Sequence, residues 1–258
     1  MKNKVEIKTI INIAKEAGDA IMEIYNHDFE VYTKQDESPL TEADKAANEI
    51  IIKGLLNHYK DIPFISEEMK LTPYKERKNW EYCWLIDPLD GTKEFIKKNG
   101  EFTVNIALLH YGKPVLGVVH VPAINKTYYA SENHGAFYIE NNQAPVQIKN
   151  LKSYKELQKV RVVASRSHLS QEVLDFVEDL KKQGKEVDFL SSGSSLKFCL
   201  VAEGKADVYP RLAPTMEWDT AAAHAVCLEA GKDVLVYDTK EPLTYNRENL
   251  LNPWFIVE

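Results

Sequence analysis

The sequence predicts an α+β lobe followed by an α/β lobe, the two packed as one body, and three observations carry that expectation. Helical periodicity opens the chain, a dense run of strand signals fills its middle, and strands alternate with helices after Asn150. No internal repeat, low-complexity tract or flexible linker separates these regions. A site between the lobes is therefore expected.

Ile7, Ile10, Ile11, Ala14, Ala17, Ile21 and Ile24 recur at helical spacing and predict a long amphipathic helix. Glu30–Thr33 reads as a short strand and Lys34–Pro39 as a polar loop. Thr41 starts a second helix, with Ala47, Ile50, Ile51, Gly54 and Leu55 on its apolar face. Ile62–Ile65 is a short strand stopping at Ser66-Glu67-Glu68. Tyr82–Ile86 is a buried strand that delivers Asp87 and Asp90 onto a tight turn closing with Gly91 and Thr92, and Phe95–Lys98 is a short helix. Thr103–Leu109, Val115–His120, Lys126–Ala130 and Ala136–Ile139 form an antiparallel meander, because turn residues separate them. Val160–Ala164, a helix near Gln171–Lys182, Val187–Leu190, a helix near Ser195–Glu203, Ala206–Tyr209, a helix near Trp218–Ala230 and a closing strand at Trp254–Val257 complete the pattern. The change of rhythm falls near residues 145–158, which divides the chain into lobes 1–152 and 153–258.

Composition narrows the function. A chain of 258 residues, 44% hydrophobic and 28% charged, is long enough to bury a large core. Its formal charge of −7, without a basic cluster, argues against long nucleic acid or an anionic membrane as partner. A small phosphorylated substrate stays compatible if divalent cations supply positive charge. Met1–Thr9 lacks the apolar core of a signal peptide, and no run approaches the ~18 apolar residues of a membrane span. Cys83, Cys199 and Cys227 are widely spaced among apolar neighbours and read as buried reduced thiols in a cytoplasmic protein.

Asp87 and Asp90 are the most telling pair. Two carboxylates ~4 Å apart cost about 4 kcal/mol at an effective dielectric of ~20, so a cation, a shared proton or a reaction must offset them. The ordinary alternative is a capped turn, since Asp, Gly and Thr all suit turns. Further acids shift the balance. If Ile62–Ile65 neighbours Tyr82–Ile86 in the sheet, Glu67 and Asp87 leave one sheet edge and can meet at one ion. Asp219 precedes an alanine-rich helix, where it could equally serve as a cap. Asp44 fits a capping box begun at Thr41, or could orient a hydroxyl or water. The N–H groups of Gly91 and Thr92, at a helix start, suit an anion. Carboxylates for a metal beside amides for an anion point to metal-assisted phosphate chemistry.

Thr41-Glu-Ala-Asp44, Ser66-Glu-Glu68, Asp87-Pro-Leu-Asp-Gly-Thr92 and Trp218-Asp219 with its alanine run together resemble the lithium-sensitive, magnesium-dependent phosphatases of the inositol monophosphatase superfamily. Within it, Lys93-Glu-Phe-Ile96, Gly100–Leu108, Ser165-Arg-Ser-His168, Gly193-Ser-Ser-Leu-Lys197 and Tyr209–Asp219 are most similar to the bacterial 3′(2′),5′-bisphosphate nucleotidase branch. The resemblance implies a layered αβαβα sandwich. It implies that Glu67, Asp87 and the Leu89 carbonyl hold one Mg²⁺, and that Asp90 and Asp219, with Asp87 bridging, hold a second. A third ion near Glu67 is compatible with it. Thr92 with Asp44 would position the attacking water, and Ser165, His168, Gly193 and Lys197 would take the nucleotide, with Arg211 on a second phosphate. Each of these has an ordinary role too: His168 a helix cap, Lys197 a solvated charge, Arg211 a partner for a nearby acid.

The implied activity is removal of the 3′-phosphate of adenosine 3′,5′-bisphosphate, with its sulfated analogue as another substrate. The implied protein is a monomer or homodimer in the cytoplasm, with attachment to the inner face of the membrane left open. Rival readings are an inositol or sugar phosphatase and a catalytically silent metal- or nucleotide-binding regulator.

Overall fold

A computed structural model describes residues 5–26, 31–33, 39–165 and 170–258. Five layers stack in the order helix, sheet, helix, sheet, helix, as the αβαβα expectation requires. The outer layer is α1 (Ile7–Tyr25) and α2 (Glu42–Tyr59), whose apolar stripes meet each other and the first sheet. That sheet has seven strands: β3 (Phe64–Ser66), β4 (Tyr82–Asp90), β5 (Thr103–His110), β6 (Lys113–Val121), β7 (Lys126–Ser131), β8 (Gly135–Glu140) and β9 (Val146–Ile148), in that spatial order. Only the β3–β4 pair is parallel; β5 to β8 form the expected meander, which β4 and β9 extend with antiparallel pairs on either side.

Side chains of β4 explain the layering. Tyr82, Trp84 and Ile86 face α1 and α2, while Cys83 and Leu85 face the middle helices. A strand covered on both faces reads as a continuous apolar run rather than an alternation. The middle layer is α6 (Leu196–Ala202) and α7 (Ala221–Ala230), and the second sheet comprises β10 (Lys159–Ala164) and β11 (Glu186–Ser191), which are parallel, plus β12 (Tyr209–Arg211), β13 (Val234–Val236) and β14 (Phe255–Val257). A single bridge from Val162 to Val208 joins the two groups of strands. The last layer is α5 (Gln171–Lys182), which buries Val177 and Leu180 against Val160, Val162 and Ile256.

The two sheets are fastened together by α7, which packs against both. Small residues on both sides permit backbone contact: a Cβ built on Gly117 of β6 would lie 2.1 Å from the Ala222 carbonyl oxygen. The main core accordingly runs from Ile65 to Val257 and takes in all three cysteines and Trp218. Burial pushes the Cys83 thiol up to about 12 and raises Cys199 and Cys227 as well. A buried ion pair adds a second tie, since Lys126 Nζ of β7 donates to Glu203 Oε1 just past α6 at 2.6 Å. Among the described residues, no helix is long and apolar enough to cross a membrane.

Several expected bounds move. The acidic segment is not a tight turn: β4 continues to Asp90, which pairs with Thr103 across a register shift after Asp87. The bulge re-aims the carboxylates while keeping them in the sheet. Pro39–Thr41 is a strand, β2, paired with β1 (Val31–Thr33), so the second helix begins at Glu42 and not Thr41. The strand expected at Ala206–Tyr209 forms at Tyr209–Arg211 instead, because β14 supplies its partner there. Four short elements carry too few residues for a periodic signal: β2, α3 (Tyr74–Arg77), β9 and β13.

Candidate active site

Parallel pairing of β3 with β4 sets the site. Ser66 lies opposite Ile86, and the Glu67 N–H donates to the Ile86 carbonyl at 3.2 Å, so Glu67 and Asp87 leave the same sheet edge. Asp219 arrives from the segment just ahead of α7. Its Oδ2 accepts the Met216 N–H at 2.9 Å, which fixes the carboxylate locally. One carboxylate oxygen from each of Glu67, Asp87 and Asp219 lies within 4.8 Å of the others.

Asp90 sits beside this trio and is held differently. Its Oδ2 accepts the Ser195 backbone N–H, Asn105 Nδ2 at 3.3 Å and the Thr103 hydroxyl at 3.5 Å. Ser195 Oγ in turn donates to Asn105 Oδ1 at 2.8 Å and lies 2.9 Å from Thr103 Oγ1. The loop carrying Gly193, and with it the start of α6 that bears Lys197, is thereby tied to an acid of the first sheet.

Burial dominates the electrostatics, and mutual charge repulsion adds to it. Burial, followed by the charges of Glu67, Asp90, Asp219 and Asp44, holds the Asp87 carboxyl well above the usual carboxylate range. Asp219 is raised by burial, then by Asp90 and Glu67. Burial pushes Asp90 up to about 6, opposed by Lys197, the Ser195 N–H and Asn105. Buried carboxylates that raise one another in this way call for a cation, and an all-oxygen donor set suits Mg²⁺ better than zinc. Among the described histidines, His120 bonds Thr127 and His224 bonds Tyr245, both buried away from the acids. The donors present fit hard divalent ions.

The other expected residues fall as follows. The Leu89 N–H donates to Asp87 Oδ1 at 3.1 Å, and the Leu89 carbonyl accepts the Thr92 hydroxyl at 3.3 Å. Asp44 is buried in the first turn of α2, and its charge reaches Asp87. Gly91 adopts φ +93°, a left-handed conformation that a side chain would strain, and it starts α4 (Thr92–Ile96). A cleft of about 150 Å³ opens beside Asp90 and Asp219, lined by Gly91, Ser165, Gly193, Lys197 and Arg211, together with Lys93, Glu94 and Thr215. The Gly193 N–H donates to Glu101 Oε2 at 2.9 Å. Lys197 Nζ donates to the carbonyls of Ser194 at 2.7 Å and Ser192 at 3.4 Å, and burial brings its ammonium down to about 8. Arg211 Nη2 donates to the Pro214 carbonyl at 2.7 Å, whereas its buried Nε has no hydrogen-bond partner. His168 lies outside the described residues.

Thr103, Asn105 and Ser195 were not expected as site residues. An asparagine inside the apolar strand Thr103–His110 was the available signal, since a buried amide must be bonded to something.

The sequence and the fold have counterparts among known proteins. A model of the inositol monophosphatase family matches residues 2–254. The chain belongs to that family. Family members with the name 3′(2′),5′-bisphosphate nucleotidase CysQ are similar to it over nearly their whole length. The one from Salmonella typhimurium is 46% identical, covering 97% of this chain and 98% of its own. The one from Escherichia coli K12 is 47% identical, covering 96% and 97%. A crystal structure of CysQ from Bacteroides thetaiotaomicron superposes with a TM-score of 0.84 at 45% identity, covering 98% of this chain and 96% of that one. A Thermotoga maritima IMPase shares the fold more distantly, with a TM-score of 0.75 at 26% identity over 96% and 89% of the two chains.

Proposed function

We propose that the protein is a Mg²⁺-dependent 3′(2′),5′-bisphosphate nucleotidase that hydrolyses the 3′-phosphate of adenosine 3′,5′-bisphosphate, giving AMP and phosphate. The convergence of Glu67, Asp87 and Asp219, with Asp90 beside them, at the mouth of a cleft bearing Lys197 and Arg211 carries the reading. The CysQ relatives support the nucleotide as substrate. The sulfated analogue, 3′-phosphoadenylyl sulfate, fits the same cleft chemistry.

Glu67, Asp87, Asp90, Asp219 and the Leu89 carbonyl are the groups that would hold two or three Mg²⁺. Such ions supply charge neutralisation to the phosphate and lower the pKa of water. The chain's own part is positioning. Gly91 and Thr92 present backbone N–H groups to the scissile phosphate at the start of α4. Thr92 and Asp44 orient the attacking water, which requires the Thr92 hydroxyl to turn from the Leu89 carbonyl toward Asp44. Ser165, His168, Gly193 and Lys197 receive the nucleoside side of the substrate, and Arg211 faces its second phosphate. Phosphoryl transfer asks for positioning and charge neutralisation more than covalent chemistry, so no phosphoenzyme is needed.

Phosphate release from adenosine 3′,5′-bisphosphate and from inositol 1-phosphate, with and without Mg²⁺ and Li⁺, tests the reading. We expect turnover of the bisphosphate that needs Mg²⁺ and is suppressed by Li⁺. Preference for the inositol ester would replace the proposed substrate, and ligand binding without phosphate release would leave a silent regulator.

A further inference from the structure

Among the described residues, three cations line the cleft: Lys93, Lys197 and Arg211. Their commitments differ. Lys197 is buried, gives its hydrogen bonds to the carbonyls of Ser192 and Ser194, and answers the charges of Asp90, Glu94 and Glu101. It serves the protein's interior first. Arg211 spends one nitrogen on Pro214 and keeps a buried Nε with no partner, a state that costs free energy unless a ligand accepts from it. Lys93 is the third of these described cations. It follows Thr92 directly in the first turn of α4, its side chain is exposed, and among the described residues its ammonium has no hydrogen-bond or ion-pair partner. Lys93 comes from the first lobe and Arg211 from the second, so the two stand on different walls of one cleft.

We propose that Lys93 is a specificity-determining residue: with Arg211 it forms a two-walled clamp for the anionic group of the substrate that is not hydrolysed. The inference rests on the nucleotidase reading and deepens it. The acids and their ions manage the scissile phosphate, but they repel a second phosphate wherever no cation faces it. A cation free of internal partners loses little by engaging a ligand, whereas Lys197 would have to leave two carbonyls. The clamp selects by charge and would take a phosphate or a sulfated phosphate, while an uncharged hydroxyl in that place would gain nothing from it.

The test compares adenosine 3′,5′-bisphosphate with adenosine 3′-monophosphate, which offers the same scissile group without the second anion. In Lys93→Met we expect KM for the bisphosphate to rise about tenfold, as for loss of a charge-assisted contact, with kcat kept and the monophosphate unaffected. Lys93→Arg should restore most of the loss. Lys97→Met, which removes a neighbouring charge from outside the cleft, should leave both substrates unchanged and so separates contact from general attraction of anions. Equal changes for the two substrates, or an equal effect of Lys97→Met, would overturn the clamp while leaving the nucleotidase reading intact. A wild-type protein that releases phosphate from inositol 1-phosphate but from neither adenosine substrate would overturn both.

Discussion

Asp90 shows how a single carboxylate is set up for an ion. Three donors converge on its Oδ2, so the side chain is oriented before any ligand arrives. Asp90→Asn keeps an oxygen for those donors and removes the charge. Partners outside the ligand shell alone are worth ~10–100-fold in metal affinity. Loss of a ligand charge should therefore weaken Mg²⁺ binding by about 100-fold or more, and turnover with it; titration calorimetry giving wild-type affinity would remove Asp90 from the metal site. The pH dependence follows from the same group. With its carboxyl pushed up to about 6 by burial, the folded, ion-free protein keeps a proton that the unfolded chain releases near 3.8. Ion-free stability should then fall as pH rises from about 4 to 6, because the native state binds more protons in that window. Ions bind the deprotonated form, so the Mg²⁺-induced gain in Tm should grow across the same range. A gain that is flat from pH 4.5 to 7 would contradict this. Residues of this kind were partly legible in the sequence: the acids stood out by type and spacing, while Ser195 and Asn105 matter through a backbone N–H and a cross-lobe bond that no local pattern encodes.

At the level of elements, long periodic segments could be read directly, and α1, the meander and α5 formed where apolar spacing placed them. Short segments could not. The end of β4 illustrates the reason, because Asp-Pro-Leu-Asp has turn residues, yet pairing with β5 holds it as a bulged strand as far as Asp90. Tertiary partners outweighed local preference there, as they did where β14 drew strand formation to Tyr209–Arg211. Gly117 makes the energetic weight of such contacts testable. A methyl group there would meet the Ala222 carbonyl, which is backbone and has little room to retreat. Gly117→Ala should cost about 3 kcal/mol, near the upper end for overpacked cores, measured by urea denaturation. A loss under about 0.5 kcal/mol would mean that α7 does not press on the sheet as described.

Across the whole molecule, the pieces of the site are supplied from far apart. Glu67, Asp87 and Asp90 come from the first sheet and its edge and Asp219 from the entrance to α7, so the proposed metal centre requires these distant parts of the chain to be packed together. That packing rests on one core to which both halves of the chain contribute. Only the run Ala221–Ala223 hinted at this seam in the sequence, since complementarity between distant surfaces leaves no local trace. The three cysteines are placed to report on it: Cys83 belongs to β4, Cys199 to α6 and Cys227 to α7, each in that shared core with its thiol protonated at neutral pH. A water-soluble disulfide reagent added to the native protein should find nothing to react with until the interior opens. All three sulfurs should then be modified at one common rate, and early modification of Cys83 alone would show that the lobes come apart before either melts. The same arrangement gives the chain a built-in clock: the colour released by such a reagent counts global openings one molecule at a time.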